Sequence, residues 1–156
     1  MSVNNEFEMI EYLLKHGADV NAREHYFDGD SPLMLAVGKN NLDLVKLLVE
    51  HGANPNIKYI DEVGDTEGYT PFLLAIQNNN FDMVKLLVEH GANVNSEADC
   101  GDTPLSLAVE RNNFEMVKYL VEHGANVNRK DKECADLGDG SDTPLLLAVK
   151  NFLNGK

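Results

Sequence analysis

The stretch that decides the fold runs from Thr103 to Asn128 and reads TPLSLAVERNNFEMVKYLVEHGANVN. Threonine before proline is a typical helix start, because the hydroxyl caps free backbone N–H groups and proline suits the first helical position. The Asn-Asn pair in the middle breaks this helix and can cap a second one. Gly124 then stops the second helix. The stretch therefore predicts two short helices joined by a tight turn.

The second half of this stretch occurs twice more, as NNLDLVKLLVEHGANPN from Asn40 and as NNFDMVKLLVEHGANVN from Asn79. In each full copy the proline and the closing glycine are 20 residues apart, at positions 32 and 52, 71 and 91, and 104 and 124. The spacing from each glycine to the next proline varies, at 15, 19, 13 and 20 residues. A block of fixed length between connectors of free length indicates a packed repeat joined by surface loops.

This pattern resembles the ankyrin repeat, a unit of about 33 residues with the signature T-P-L-H-x-A. The match runs over residues 29–56, 68–95 and 101–128. The resemblance implies an all-α solenoid of stacked helix-turn-helix repeats with projecting β-hairpin fingers, some of them extended. We predict a single ankyrin-repeat domain over residues 1–156, with full repeats at 28–64, 65–98 and 99–137. Partial repeats are predicted at 1–27 and 138–156.

Two departures from the family signature recur in the copies. The histidine of T-P-L-H is replaced, which implies looser contacts between neighbouring loops. The residues at that position are Met34, Leu73, Ser106 and Leu146. The glycine of the turn between the helices is replaced by Asn40, Asn79 and Asn112. We expect these asparagines to adopt the left-handed conformation that glycine would adopt there.

The two terminal units each match half of the motif. Residues 6–21 correspond to a second helix without its first, and residues 141–156 to a first helix without its second. Terminal repeats normally carry a polar outer face, whereas Tyr12, Leu13, Leu145 and Leu153 would need cover. The alternatives are a piece of a longer array or ends that pack on something. We also expect truncation of Leu86, in the central unit, to cost more stability than truncation of Leu153.

The overall composition limits the classes of partner. The 156 residues carry a formal net charge of −13, which repels nucleic-acid phosphates and anionic lipid heads. No apolar run reaches the roughly 18 residues of a membrane helix, and the first residues do not read as a secretory signal. Two cysteines do not make a disulfide framework. We expect a cytoplasmic protein; the alternative is an effector delivered into a host cytosol.

No residue pattern indicates catalysis, a metal site or a cofactor. Four histidines recur at one repeat position, and we interpret them as helix-end residues: His16, His51, His90 and His123. Stacked helices are about 10 Å apart, whereas zinc needs ligands about 2 Å from the ion. Cys100 and Cys134 are interpreted as free thiols, with a disulfide or a two-cysteine metal site as alternatives. Residues 61–68 and 136–142 lack the ligand pattern of a calcium loop. We therefore predict that the chain is not an enzyme.

The segments that do not repeat are the candidates for binding. In the ankyrin family, fingers and first helices line a concave face where partners commonly bind. The fingers here are residues 22–30, 57–69, 96–102 and 129–142, which hold 15 acidic and 5 basic residues and so carry −10 of the net charge of −13. The predicted partner-binding residues are Tyr26, Phe27, Asp30, Lys39, Tyr59, Ile60, Asp61, Glu62, Tyr69, Gln77, Asn78, Glu97, Asp99, Asp102, Glu110 and Arg111.

The sequence thus favours a protein–protein interaction scaffold with an acidic concave face. Its partner would be a protein with basic and apolar patches. One alternative is that the apolar finger residues only fold the fingers onto each other. A second is a targeting segment of a larger enzyme or bacterial effector. A third is a self-associating structural array, and we expect either a monomer or weak self-association through the uncapped ends. A fourth is a small-molecule or calcium binder.

Overall fold

The computed structural model describes residues 3–23, 29–59, 68–99, 101–129 and 142–155. Within these residues the chain forms eight helices and no strand. The helices are α1 (Val3–Lys15), α2 (Pro32–Gly38), α3 (Leu42–Glu50), α4 (Pro71–Gln77), α5 (Phe81–Glu89), α6 (Pro104–Glu110), α7 (Phe114–Glu122) and α8 (Pro144–Leu153). The predicted all-α repeat solenoid is confirmed. The three internal units are α2–α3, α4–α5 and α6–α7, each an inner helix followed by an outer one.

Each helix after α1 begins at a side-chain cap, as the sequence predicts. A hydroxyl precedes every inner helix and accepts a hydrogen bond from a backbone N–H in the first turn. These residues are Ser31, Thr70, Thr103 and Thr143. The outer helices of the three internal units are capped in the same way by Asn41, Asn80 and Asn113.

The tight turn between inner and outer helix depends on asparagine. Asn40, Asn79 and Asn112 have φ values of 54°, 55° and 52°, so the predicted left-handed conformation is confirmed. Each outer helix then ends at a glycine. In the third unit, Gly124 has φ 91°, and the N–H of Ala125 reaches back to the carbonyl of Leu120 over 2.9 Å. A left-handed glycine followed by such a bond is a common helix stop.

The core lies between the inner and outer helices of successive units. Inner helices α2, α4, α6 and α8 pack in a row, and α3 packs on α5. Phe72 in α4 is completely buried. The expectation for Leu86 needs correction, since Leu86 is only half-buried and its neighbour Leu87 is completely buried. The two residues differ by about 100° around the helix, so only Leu87 points fully into the core.

A column of asparagine side chains joins the units on the connector side. The Asn56 amide donates to the carbonyl of Gly91 in the next unit over 2.9 Å. Its oxygen accepts from the N–H of Asn93 over 2.8 Å. Asn21 and Asn95 make the same two bonds one unit before and one unit after. The column satisfies backbone groups that would otherwise need water.

Replacing Asn56 with alanine removes both bonds of one step in this column. We expect the free energy of unfolding to fall by about 1–2 kcal/mol, because each net hydrogen bond contributes roughly 0.5–1.5 kcal/mol. Urea denaturation measures the change. The matched control is Asn128→Ala, since the Asn128 side chain makes no hydrogen bond to any described residue. Equal losses in the two variants would contradict this account of the column.

No helix among the described residues is long and apolar enough to span a membrane.

Candidate partner-binding surface

A small pocket lies where the base of the second finger meets the inner helices α2 and α4. Its volume is about 180 Å³. The residues that line it are Asp30, Met34, Tyr59, Tyr69 and Leu74. Asp30 and Tyr69 each directly precede the cap of an inner helix, which places them at the same level of two adjacent units. The structure thus brings together three of the predicted binding residues, which are separated by up to 39 positions, the distance from 30 to 69 in the sequence.

The base of the second finger is closed by paired backbone groups. The N–H of Tyr59 donates to the carbonyl of Tyr69 over 2.7 Å, and the N–H of Gly68 donates to the carbonyl of Tyr59 over 2.9 Å. This is the hydrogen-bonding pattern of the start of a hairpin, although no strand is formed among the described residues. The pairing holds the two tyrosines beside each other at the pocket.

Tyr69 also connects the pocket to the third finger. Its hydroxyl donates to Oδ2 of Asp102 over 2.6 Å, and the tyrosine side chain is almost fully buried. Asp102 is held from its backbone as well, since its carbonyl accepts from the N–H of Ala98 over 3.0 Å. Asp102 is therefore a fixed carboxylate that orients the Tyr69 ring.

Two further predicted acidic residues already have cationic partners from neighbouring fingers. The guanidinium of Arg129 pairs with Glu97, and Nζ of Lys58 lies 2.8 Å from Oδ1 of Asp99. The Lys58–Asp99 pair is about half exposed, and such pairs contribute only about 0–1 kcal/mol. A partner can therefore open it at little cost. The Glu97 side chain is only 17% exposed, so Glu97 offers less surface than its finger position indicates.

The remaining described candidates lie at the other end of the inner helices. This group consists of Lys39, Gln77, Asn78, Glu110 and Arg111. A helix of seven residues is about 10 Å long, so the group is separated from the pocket by about that distance. Asn78 has a structural contact there, since its amide donates to the carbonyl of Val37 in the preceding unit over 3.3 Å. The predicted residues therefore form two separate clusters.

Several predictions lie outside the described residues and stay predictions. Among the binding candidates these are Tyr26, Phe27, Ile60, Asp61 and Glu62. Both cysteines, Cys100 and Cys134, also lie outside, as does most of the two stretches compared with calcium loops.

The four recurring histidines lie at the ends of outer helices and bind backbone. In each, Nδ1 lies 2.7–2.9 Å from the carbonyl oxygen four residues earlier. His123 also contacts the ring of Tyr119, with centroids 4.0 Å apart. Burial, followed by the nearby Glu89 carboxylate, raises the pKa of Tyr119. Among the described residues, no three histidine, cysteine or acidic side chains come close enough to hold a metal ion.

Sequence reasoning missed two residues of the pocket. Met34 was noted only as the replacement of the family's histidine, and Leu74 was not singled out. The available signal was their position on the inner helices, because residues in the first turns of two adjacent inner helices face the same fingers. Their apolar side chains form the part of the pocket opposite the acidic and aromatic residues.

The stacked units, the asparagine turns and the concave pocket define a helical repeat protein. A sequence profile for ankyrin repeats in three copies matches residues 1–59, 57–131 and 92–155. The chain belongs to the ankyrin repeat family. Ankyrin repeats generally serve as protein–protein interaction modules, and the family is typically non-enzymatic.

Curated relatives match over parts of their length. A Rickettsia felis protein named for its ankyrin repeats is 45% identical over 51 residues, which is 33% of this chain and 18% of the relative. The B-cell lymphoma 3 protein homolog of Mus musculus is 44% identical over 55 residues, 35% of this chain and 12% of the relative. An Arabidopsis thaliana protein bearing the name of an E3 ubiquitin-protein ligase is 38% identical over 68 residues, 40% and 18% of the two chains. The matched segments span less than a fifth of these relatives.

Proposed function

We propose that this chain recognises a protein partner through its concave face, with the pocket between α2 and α4 as the anchoring point. The observation that carries the proposal is the convergence of Asp30, Tyr59 and Tyr69 on one pocket. Interface hot spots are commonly aromatic residues in pockets surrounded by polar groups. The membership in a family of interaction modules supports the same reading.

The lining of the pocket favours a basic side chain with an apolar stem. Its volume of about 180 Å³ is below the roughly 300–1,000 Å³ of small-molecule sites, so it suits one side chain of a larger partner. Met34 and Leu74 can contact an aliphatic stem. The tyrosine rings and the Asp30 carboxylate attract a cationic head group.

The charge of the fingers supports the same kind of partner. The four finger segments together carry −10. A field of that sign accelerates encounter with a basic surface, and salt weakens the effect. We further propose that the chain performs no reaction itself and works in a cytosol. The lack of a catalytic motif supports the first statement, and the low cysteine content supports the second.

The test is capture of a partner by the immobilised chain, followed by measurement of its affinity at low and high salt. We expect affinity for the double variant Asp30→Asn/Tyr59→Ser to fall at least about tenfold, since losing a hot spot costs about 2 kcal/mol or more. The matched control is Asp43→Asn/Tyr119→Ser, which makes the same chemical changes on outer helices. A partner that binds both variants equally well would contradict the proposal.

A second candidate function is that these repeats act as the targeting segment of a longer enzyme or effector. The observation that favours it is the length of the relatives, of which the matched segment is only 12–18%. The name of the Arabidopsis relative is that of an enzyme, which fits a binding segment joined to an active one. The full-length reading frame tests this candidate: a catalytic domain in the same frame supports it, and a frame limited to repeats contradicts it.

A further inference from the structure

The first and last helices expose side chains of the type that the internal units bury. Met9 and Leu13 of α1 are 60% and 53% exposed, and Leu145 and Val149 of α8 are 73% and 45% exposed. Among the described residues, α1 is an outer helix with no inner helix before it, and α8 is an inner helix with no outer helix after it. Each end therefore presents the half of a unit that the other end needs.

The equivalent positions in the internal units establish this complementarity. Leu13 stands three residues before its histidine; its counterparts Leu48, Leu87 and Leu120 are at most 2% exposed. Leu145 directly follows its proline; its counterparts Leu33, Phe72 and Leu105 are at most 3% exposed. In each internal unit these two positions belong to the interface between inner and outer helix. The exposed residues are thus ordinary core residues without their partner helix.

An open groove marks the place of the absent helix. It lies between α7 and α8 and has a volume of about 300 Å³. Phe114, Val117 and Phe152 supply apolar surface to it. Two of these side chains, Phe114 and Phe152, are 73% and 83% exposed. An outer helix that stacked on α7 in the manner of the internal units would cover this groove.

The asparagine column has complementary free groups at the two ends. Asn128 is the fourth residue after its glycine, like Asn56 and Asn95, but its side chain has no hydrogen bond to a described residue. The next step would need a glycine carbonyl and the N–H two residues further on. Gly17 and Asp19, at the other end of the chain, provide that pair in the same HGA context.

The lengths of the two terminal helices also agree with each other. The inner helix α8 has 10 residues, whereas the other inner helices have 7. The outer helix α1 has 13 residues, whereas the others have 9. Both extensions lie at the end where internal units form the turn between helices. Two separate chains have no such turn, so both helices can continue side by side.

We propose that a second copy of this chain docks head to tail, with its α1 packing on α8 to complete one repeat unit between the two molecules. Leu13 of one copy and Leu145 of the other become buried, and Asn128 binds Gly17 and Asp19 of the other copy. The contact is a continuation of the stacking seen between internal units. Such a contact uses two different surfaces and does not close on itself, so it builds an open stack.

The net charge sets the salt dependence of this contact. Each copy carries −13, so copies repel each other at low salt. Screening by salt reduces the repulsion, and the apolar contact itself does not weaken. Head-to-tail association therefore increases with salt, whereas binding of a basic partner to the fingers decreases. The two interactions are distinguishable, and this inference does not depend on the proposed function.

The experiment compares the chain with two end variants, Leu13→Asp and Leu145→Asp, by sedimentation velocity over a range of concentrations at low and high salt. Both positions are exposed, so both variants are expected to fold, which circular dichroism verifies. Leu35→Asp is the matched control, because Leu35 is 46% exposed on the internal helix α2 and the substitution changes the charge equally. Each variant retains one intact end.

We expect the unchanged chain and Leu35→Asp to grow in mass with concentration, and more strongly at high salt. Each end variant alone stays monomeric, because its intact end meets only a damaged one. An equimolar mixture of the two forms a dimer of about twice the monomer mass and stops there, since the other two ends are blocked. A monomeric unchanged chain overturns the proposal. Association of either end variant with itself overturns it too, because it shows contact between like ends.

Discussion

Replacing Phe72 with alanine is expected to lower the free energy of unfolding by about 3–5 kcal/mol, the usual cost of deleting a buried aromatic side chain. Phe72 is completely buried in α4, between the first and third units. The loss is felt along the whole stack, because each unit of a repeat protein is stabilised by its neighbours. Urea denaturation at low protein concentration measures it.

The matched control for this prediction is Phe152→Ala. Phe152 also lies in an inner helix, but 83% of its side chain is exposed. We expect a change within about 0.5 kcal/mol, as for surface substitutions away from special features. A similar loss in both variants would contradict the assignment of the core to the internal units.

Gly68→Ala is expected to destabilise the chain by about 1–3 kcal/mol and to disturb the pocket. Gly68 has φ 76°, which side chains with a Cβ rarely adopt. An added Cβ would also lie 2.6 Å from the backbone nitrogen of Asp99, where nothing can move easily. Because Gly68 pairs with Tyr59 by a backbone hydrogen bond, the strain reaches the tyrosine pair. Thermal unfolding and the near-ultraviolet circular dichroism of the tyrosines measure the two effects.

Gly91→Ala separates the two causes of this effect. Gly91 has φ 88°, but an added Cβ meets no atom within 4 Å. This variant carries the backbone strain without the contact with Asp99, so we expect a smaller loss of stability and no change at the tyrosines. Equal effects of the two variants would show that the close approach of the third finger to Gly68 has no energetic importance.

The local signals in the sequence were sufficient to predict the helices and their turns. Hydroxyl caps before proline and left-handed asparagines act within a few residues, so the chain fixes them without knowledge of distant contacts. The error at Leu86 has a physical reason. Two adjacent leucines in an outer helix look alike in a repeat pattern, and only the packing of α5 against the inner helix decides that Leu87 is the buried one.

The candidate site was predictable in part. Asp30 and Tyr69 hold the same position before successive inner helices, so the repeat itself brings them together. The pairing of Lys58 with Asp99 was not predictable, because it joins connectors of different length whose relative position the repeat does not fix. For the same reason, a count of charges in the fingers did not indicate that Glu97 is largely covered.

The most direct test of the account is amide hydrogen exchange of the chain with and without a captured partner. We predict added protection at residues 29–34, at Tyr59 and at residues 68–74, which surround the pocket between α2 and α4. The amides of the outer helices α3, α5 and α7 should exchange as before. Protection on the outer helices with none around the pocket would contradict the claim that the concave face is the recognition surface.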